Sequence, residues 1–238
     1  IELGKAILNI HTTDNLLFSI VVHCATALST IIIFRNKILD IFKGLLDFKN
    51  NESLHYTLKI LISMIPVGIV GVLFEDKIEE LFTGNVVFVG AMLIVTGCLL
   101  TFTYYAKNTT KDVSYGHSIL IGIAQAIAIL PGISRSGSTI STALILGIDK
   151  EKATQFSFIM VLLPIIGATL LKVKSYVEEP ALSSGMNSSV LIIGFLAAFL
   201  SGLLACSWMI KIVKKGKLIY FAYYCFAVGI ISIIISFL

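Results

Sequence analysis

The sequence predicts an all-α polytopic membrane protein with six transmembrane helices plus a re-entrant helical hairpin, part of an inverted-repeat architecture. Three observations predict it. First, 57 % of the 238 residues are hydrophobic and only 13 % are charged, with a mean hydropathy of +0.96, whereas a soluble domain carries about 25 % charged residues. Second, six continuous apolar runs reach the roughly 17 to 25 residues that an α-helix needs to cross a hydrocarbon core. They are Leu16 to Phe34, Thr57 to Phe74, Asn85 to Ala106, Gln155 to Val173, Ser189 to Ile210 and Leu218 to Leu238. A β-barrel would instead alternate in segments of about ten residues. Third, a seventh apolar region, Ser118 to Gly147, is broken in its middle.

Loop charge orders the spans, because Lys and Arg accumulate on the cytoplasmic side. Arg35, Lys37, Lys43 and Lys49 follow the first run, and Lys211, Lys214, Lys215 and Lys217 precede the last. Both loops are therefore expected inside. The segments Glu75 to Glu80 and Lys174 to Ser188, the latter with Glu178 and Glu179, have no cationic excess and are expected outside. The third span then ends inside at Lys107 and Lys111, and the span from Gln155 must start inside. Ser118 to Gly147 has to enter and leave on the same side.

Its lengths agree. Ser118 to Leu130 and Ser138 to Gly147 are apolar stretches of 13 and 10 residues, roughly 20 Å and 15 Å as helices against a hydrocarbon core of about 30 Å. Between them, Pro131 removes a backbone donor, and Gly132 and Gly137 permit unusual backbone angles. The expected organisation is one integral membrane domain, 1–238, with a first repeat at 1–117 and a second at 118–238 that opens with the hairpin 118–147. Phe18-Ser19 and Phe156-Ser157 are a faint internal echo of that repeat. By the same logic a matching hairpin is expected before Leu16, and residues 1 to 15 do not supply one. They also lack an initiator Met and the pattern of a signal peptide, so the sequence reads as though it begins partway through a protein.

Other features are plainer. Arg35 to Asp47 mixes apolar residues at helical spacing with charges, which suits a helix in the membrane interface; a solvated loop is the alternative. Cys24, Cys98, Cys206 and Cys225 lie inside apolar spans without metal or disulfide spacing and are expected to be small buried hydrophobes. The net charge of +4 sits beside membrane spans and does not indicate nucleic acid.

The chemistry concentrates at Pro131-Gly-Ile-Ser-Arg-Ser-Gly-Ser-Thr139. Arg135 is the one cation between Ser118 and Gly147, and an arginine at membrane depth is costly without a partner. Its guanidinium is suited to bidentate phosphate binding. Ser134, Ser136, Ser138 and Thr139 add hydroxyls, and the free N–H groups of a half-helix opening at Ser138 and Thr139 form an anion site. A structural arginine bonded to loop carbonyls is the competing reading. Gln125 either faces the cavity or bonds between helices. His23, the one histidine inside a span, is either an acid or base or a hydrogen-bonded structural residue. Pro66 and Pro164 are expected to kink their helices, and His11, His55 and His117 flank spans without an evident role.

Gly122-Ile-Ala-Gln-Ala-Ile-Ala-Ile-Leu-Pro-Gly-Ile-Ser-Arg-Ser-Gly-Ser-Thr139 closely resembles the signature of the undecaprenyl-diphosphate phosphatase, or bacitracin-resistance, family. Phe156-Ser-Phe158 with Pro164 and Gly167-Ala168, Met64-Ile-Pro66 with Gly71 and Leu73-Phe74, and the Thr26 to Arg35 region resemble further segments of it. The resemblance implies hydrolysis of undecaprenyl diphosphate to the monophosphate, recycling of the lipid carrier of peptidoglycan synthesis, bacitracin resistance, and a multi-pass location in the bacterial inner membrane among membrane lipids. It also implies a site built from two facing re-entrant hairpins. Ser134, Arg135, Ser136 and Thr139 match the second as catalytic residues, with Arg135, Gly137, Ser138, Gln125 and His23 as substrate-binding candidates. The first hairpin of relatives carries a glutamate-rich motif, and Ile1-Glu2-Leu3-Gly4 resembles the sequence just after it. A divalent cation, Mg or Ca, is implied without identifiable ligands. Cys225, after Tyr224, stands where many relatives have arginine, and a homodimer is left open. The rival function classes are a transporter or flippase of a lipid phosphate or other anion, suggested by the inverted arrangement and the midplane site, and a non-catalytic lipid-phosphate binder.

Overall fold

The computed structural model describes residues 16–47, 51–74, 86–106, 109–178 and 188–237. Every regular element among them is a helix: α1 Leu16–Ile33, α2 Arg35–Leu46, α3 Glu52–Leu73, α4 Val86–Phe102 continued by a 3-10 turn at Thr103–Tyr105, α5 Tyr115–Ile127, α6 Arg135–Ile145, α7 Lys150–Glu178, α8 Ser188–Lys214 and α9 Ile219–Ile235. Four of these, α3, α4 with its 3-10 turn, α7 and α8, are long and apolar enough to cross a membrane, and a fifth results if α1 and α2 form one broken span. α9 has 17 residues, about 25 Å. The chain is an α-helical membrane protein. Pro66 and Pro164 lie inside α3 and α7, which run on through them. The acidic segment Glu75 to Glu80, Lys107 and Glu179, on which part of the loop-charge reading rests, lie outside the described residues.

The helices form two compact units. One holds the described part of His11–Leu54 together with Phe158–Lys211. Within it, α2 turns away from α1 by 81° at Phe34, a buried ring stacked on Phe158 at 5.5 Å. Asn51 Nδ2 donates to the Gly44 carbonyl at 2.6 Å and Ser53 Oγ to the Asp40 carbonyl at 3.3 Å, which ties down the far end of α2. Leu39, Phe42 and Leu46 form an exposed ridge at spacings of three and four residues, so the expected amphipathic helix is present and held at both ends. α1 packs on α8 where Gly202 meets Ser29 and Gly194 meets the Phe18 ring. Of the four cysteines, Cys225 is buried and Cys206 half-buried, whereas Cys24 and Cys98 are exposed. The expectation that all four are buried fails for those two because each points away from its helix's packed side.

The other unit contains His55–Ser157 and Ile212–Leu238. Here α4 packs along α9. A Cβ on Gly90 would come within 2.9 Å of the Gly229 carbonyl oxygen, and one on Gly229 within 2.7 Å of the Gly90 carbonyl oxygen. Two backbones meet because neither helix has a side chain at the crossing.

At one end of this unit the polar residues gather. His55 Nδ1 and Tyr115 Oη hydrogen-bond at 2.6 Å, and Lys59 lies 5.8 Å from the Tyr115 ring centre. Lys152 pairs with Asp112 at 2.9 Å and Lys214 with Glu151 at 3.0 Å. Partial burial alone would raise the Asp112 carboxyl, but the Lys152 hydrogen bond, the Val113 N–H and the charges of Lys152 and Lys59 outweigh it and hold the group below its usual range. A carboxylate depressed in the fold contributes stability above its unfolded pKa and loses it as pH falls through the folded one. Because the Lys152 and Asp112 side chains are 43 % and 59 % exposed, screening keeps the pair below about 1 kcal/mol. Asp112→Asn is therefore expected to lower the melting temperature slightly at neutral pH, with the deficit vanishing on acidification through the carboxylate range. An equal deficit at every pH would show that the charge plays no part.

Candidate anion site at the first turn of α6

Two short helices carry the motif, each beginning three residues before the expected position. α5 starts at Tyr115 because Ser114 and His117 form a capping box: Ser114 Oγ accepts from the His117 N–H, and His117 Nδ1 from the Ser114 N–H. α6 starts at Arg135 because Ser134 is its N-cap, its Oγ accepting from the Gly137 N–H at 3.1 Å. α6 ends on Gly147 at φ +79, with the Ile148 N–H reaching back to the Ala143 carbonyl at 3.0 Å, a closure that needs a left-handed residue. Ile148 then pairs with Lys111, and the Asp149 N–H donates to the Lys111 carbonyl at 3.0 Å. Residues 112–147 are thus a loop tied at its base, with α5 and α6 in contact along it.

The earlier start of α6 moves the anion site. The Ser138 N–H, expected to be free, donates to the Ser134 carbonyl at 2.8 Å, and Thr139 lies one turn inside the helix. The N–H groups without an intrahelical acceptor belong instead to Arg135 and Ser136. Arg135 is exposed, Ser136 half-buried, and Gly137, Ser138 and Thr139 are buried. Thr139 Oγ1 donates to the Arg135 carbonyl at 3.0 Å, so its proton serves the helix. Ser134 Oγ accepts at the cap and keeps its own O–H to give.

α4 is the ruler for depth. The Ser134 N–H donates to Thr96 Oγ1 at 3.1 Å, ten residues into α4 and so about 15 Å from its first residue. Gly132, at φ +97, lies against Val89 and Met92, where a Cβ would collide with the Val89 carbonyl oxygen. α5 in turn lies on α3, since a Cβ on Gly122 would meet the Ser63 carbonyl. The motif is a rigid tip seated partway along an apolar helix.

Gln125 is 1 % exposed and Ser138 2 %, and neither Gln125 side-chain atom nor Ser138 Oγ has a hydrogen-bond partner among the described residues. Gln125 therefore bonds no neighbouring helix among the described residues. Ser141 and Ser157 share this state; Ser157 stands out in the sequence only as part of the Phe156-Ser157 echo and the Phe156-Ser-Phe158 segment, and Ser141 follows Ser138 by three residues on the buried side of α6, a spacing that points to it. Thr96 has no local signal at all. His23 belongs to the other unit, where its Nδ1 donates to the Ser19 carbonyl at 2.7 Å. Among the described residues no group of three or more His, Cys, Asp or Glu side chains is placed to hold a metal ion. The α6 turn offers only neutral hydroxyls beside a guanidinium, with no carboxylate from Ser134 to Thr139, so no described residue is assigned to Mg or Ca.

An arginine, two unsatisfied N–H groups and a serine hydroxyl at one helix N-terminus suit a phosphate or diphosphate. The comparisons with known proteins point the same way. The family model described as bacitracin resistance protein BacA matches residues 1–231. A protein of Christiangramia forsetii named undecaprenyl-diphosphatase is 52 % identical over 239 residues, covering 100 % of this chain and 89 % of the relative. One of Bacteroides fragilis with the same name is 50 % identical, covering 99 % and 89 %, and one of Halothermothrix orenii is 40 % identical, covering 94 % and 85 %. A tethered, arginine-bearing helix break and a match along nearly the whole chain lead to one conclusion: the chain belongs to the bacitracin resistance protein BacA family.

Proposed function

We propose that this protein hydrolyses undecaprenyl diphosphate to undecaprenyl phosphate and inorganic phosphate in the bacterial inner membrane, returning the lipid carrier to peptidoglycan synthesis and conferring bacitracin resistance. The first turn of α6 carries this conclusion: it opens with the exposed Arg135, and the N–H groups of Arg135 and Ser136 have no acceptor within the helix. Phosphoryl transfer has a loose transition state with charge spread over the equatorial oxygens, so positioning and electrostatics supply most of the catalysis. Arg135 forks across two of those oxygens, the two N–H groups and the Ser134 O–H take others, and the buried Ser138 and Thr139 keep the turn rigid beneath them.

Residues 112–147 act in this reading as a hairpin entering from the cytoplasmic side and turning back near mid-bilayer. Three facts support it: the base is tied by Lys111 and Ile148, the tip sits at Thr96, and the starts of α3, α5 and α7 meet the end of α8 at one polar end. The crossing count demands that convergence. The division into repeats at 1–117 and 118–238 is supported by the reciprocal Gly90–Gly229 contact, which pairs the last helix of each repeat as a two-fold axis would. The exposed Ile192, Ile193, Leu196, Leu200 and Leu204 of α8 face lipid.

The test is release of inorganic phosphate from a long-chain prenyl diphosphate by the purified protein in detergent. Hydrolysis is expected. Binding or movement of the lipid with no phosphate released would replace the enzyme with a transporter or flippase.

A further inference from the structure

We infer that Thr96, on α4, is a positioning residue for the α6 anion site, a role that rests on the phosphatase reading above. Thr96 is 0 % exposed and its hydroxyl is used in both directions. Its O–H donates to the Met92 carbonyl at 3.1 Å, which fixes the rotamer, and the oxygen accepts the Ser134 N–H at 3.1 Å. Ser134 is the N-cap, and the cap residue's own N–H has no partner inside the helix it starts. Thr96 therefore satisfies the one backbone donor on which the direction of α6 pivots. Its methyl group does a second job, lying 3.4 Å from where a Cβ on Gly137 would stand, against the residue that closes the cap onto Ser134 Oγ.

The same face of α4 holds the tip at two further points, Val89 and Met92, which lie against Gly132. Val89, Met92 and Thr96 are spaced by three and four residues and so form one ridge along the helix. Of the three, only Thr96 holds the tip through a directional side-chain bond; the others act through shape. Loss of that bond leaves the N–H of the half-buried Ser134 without its partner, and the turn regains a protein acceptor only by rotating. Such a rotation carries the Arg135 guanidinium and the N–H groups of Arg135 and Ser136 away from the oxygens they serve. Thr96 touches no substrate. Its effect is on how the transition state is met rather than on whether the lipid binds.

The experiment compares Thr96→Val, which keeps the shape and removes the hydroxyl, with Thr96→Ser, which keeps the hydroxyl and removes the methyl. Phosphate release from a prenyl diphosphate is measured as kcat and KM, with thermal unfolding in detergent alongside. Thr96→Val is expected to lower kcat by about tenfold to a hundredfold while KM changes by less than about threefold, as expected for an interaction felt mainly in the transition state. Thr96→Ser is expected to stay within about threefold of the parent in both, because the bond that sets the turn is retained. If Thr96→Val does not yield folded protein, Thr96→Ala replaces it, and the hydroxyl is again tested by the contrast with serine. Equal kcat in the parent and the hydroxyl-free variant overturns the inference, as does an equal loss in Thr96→Ser, which would assign the effect to packing. An inactive parent overturns the phosphatase reading instead, so the two failures are distinct.

Discussion

Arg135→Ala is expected to lower kcat/KM for prenyl diphosphate hydrolysis by about a thousandfold, a loss of roughly 4 kcal/mol of transition-state stabilisation. The size follows from where the residue stands. Its guanidinium is the one cation between Ser118 and Gly147, at the start of a helix whose first two N–H groups lack acceptors within it, so the proposed clamp would lose its charge and keep only dipoles. The side chain is exposed, so alanine leaves no cavity and the melting temperature should stay close to the parent's. Arg135→Lys is the informative partner. A lysine keeps the charge but not the planar fork, and a partial recovery, with about a tenfold to hundredfold deficit remaining, is expected. Phosphate release and thermal unfolding measured together decide the matter. Wild-type activity in the alanine variant would remove Arg135 from the site, and equal activity in the lysine variant would leave charge as its only contribution.

The second large effect is expected at Gly132. Its φ of +97 lies where a side chain costs about 1–2 kcal/mol, and a Cβ there would strike the Val89 carbonyl oxygen and come 2.9 Å from Met92 Cβ. The carbonyl belongs to the α4 backbone and cannot rotate aside. Gly132→Ala must therefore lift the tip off α4, and a displacement of about 1 Å at the clamp is enough for about a hundredfold loss of kcat. Gly68→Ala in α3 is the control, since a Cβ there meets nothing within 4 Å and alanine is the better helix former. A Gly132→Ala protein as active as the Gly68→Ala protein would show that the tip is not seated on α4.

The sequence shows much of this because the decisive features are local. The two short apolar stretches around Pro131 state that neither half can cross a bilayer, and the structure answers with helices of 13 and 11 residues. Their boundaries were displaced for a local reason too. Ser114 and Ser134 cap their helices, whereas the apolar runs themselves open at Ser118 and Ser138, four residues later in each case. That displacement matters chemically, since it transfers the free N–H groups from Ser138 and Thr139 to Arg135 and Ser136. The unusual backbone of Gly132 is legible in the sequence and is present at φ +97, but its seat on α4, like the role of Thr96, is hidden for the opposite reason. Both arise from an approach between α4 and a segment 38 residues away, as counted from Thr96 to Ser134, and no periodicity within either segment encodes it. Gln125 was legible as a polar residue on an apolar half-helix, but whether it faced a neighbour was decided only by packing, which left both its polar atoms without one.

The contact between Gly90 and Gly229 has a consequence for biogenesis. α4, on which the tip rests, is itself backed by α9, the last of the described helices to leave the ribosome. Until α9 has inserted, the seat of the tip lacks its support, and the arginine-bearing turn has no fixed place in the nascent protein. The clamp is therefore expected to mature as a late step of membrane assembly, after every other helix described here has already been threaded into the bilayer.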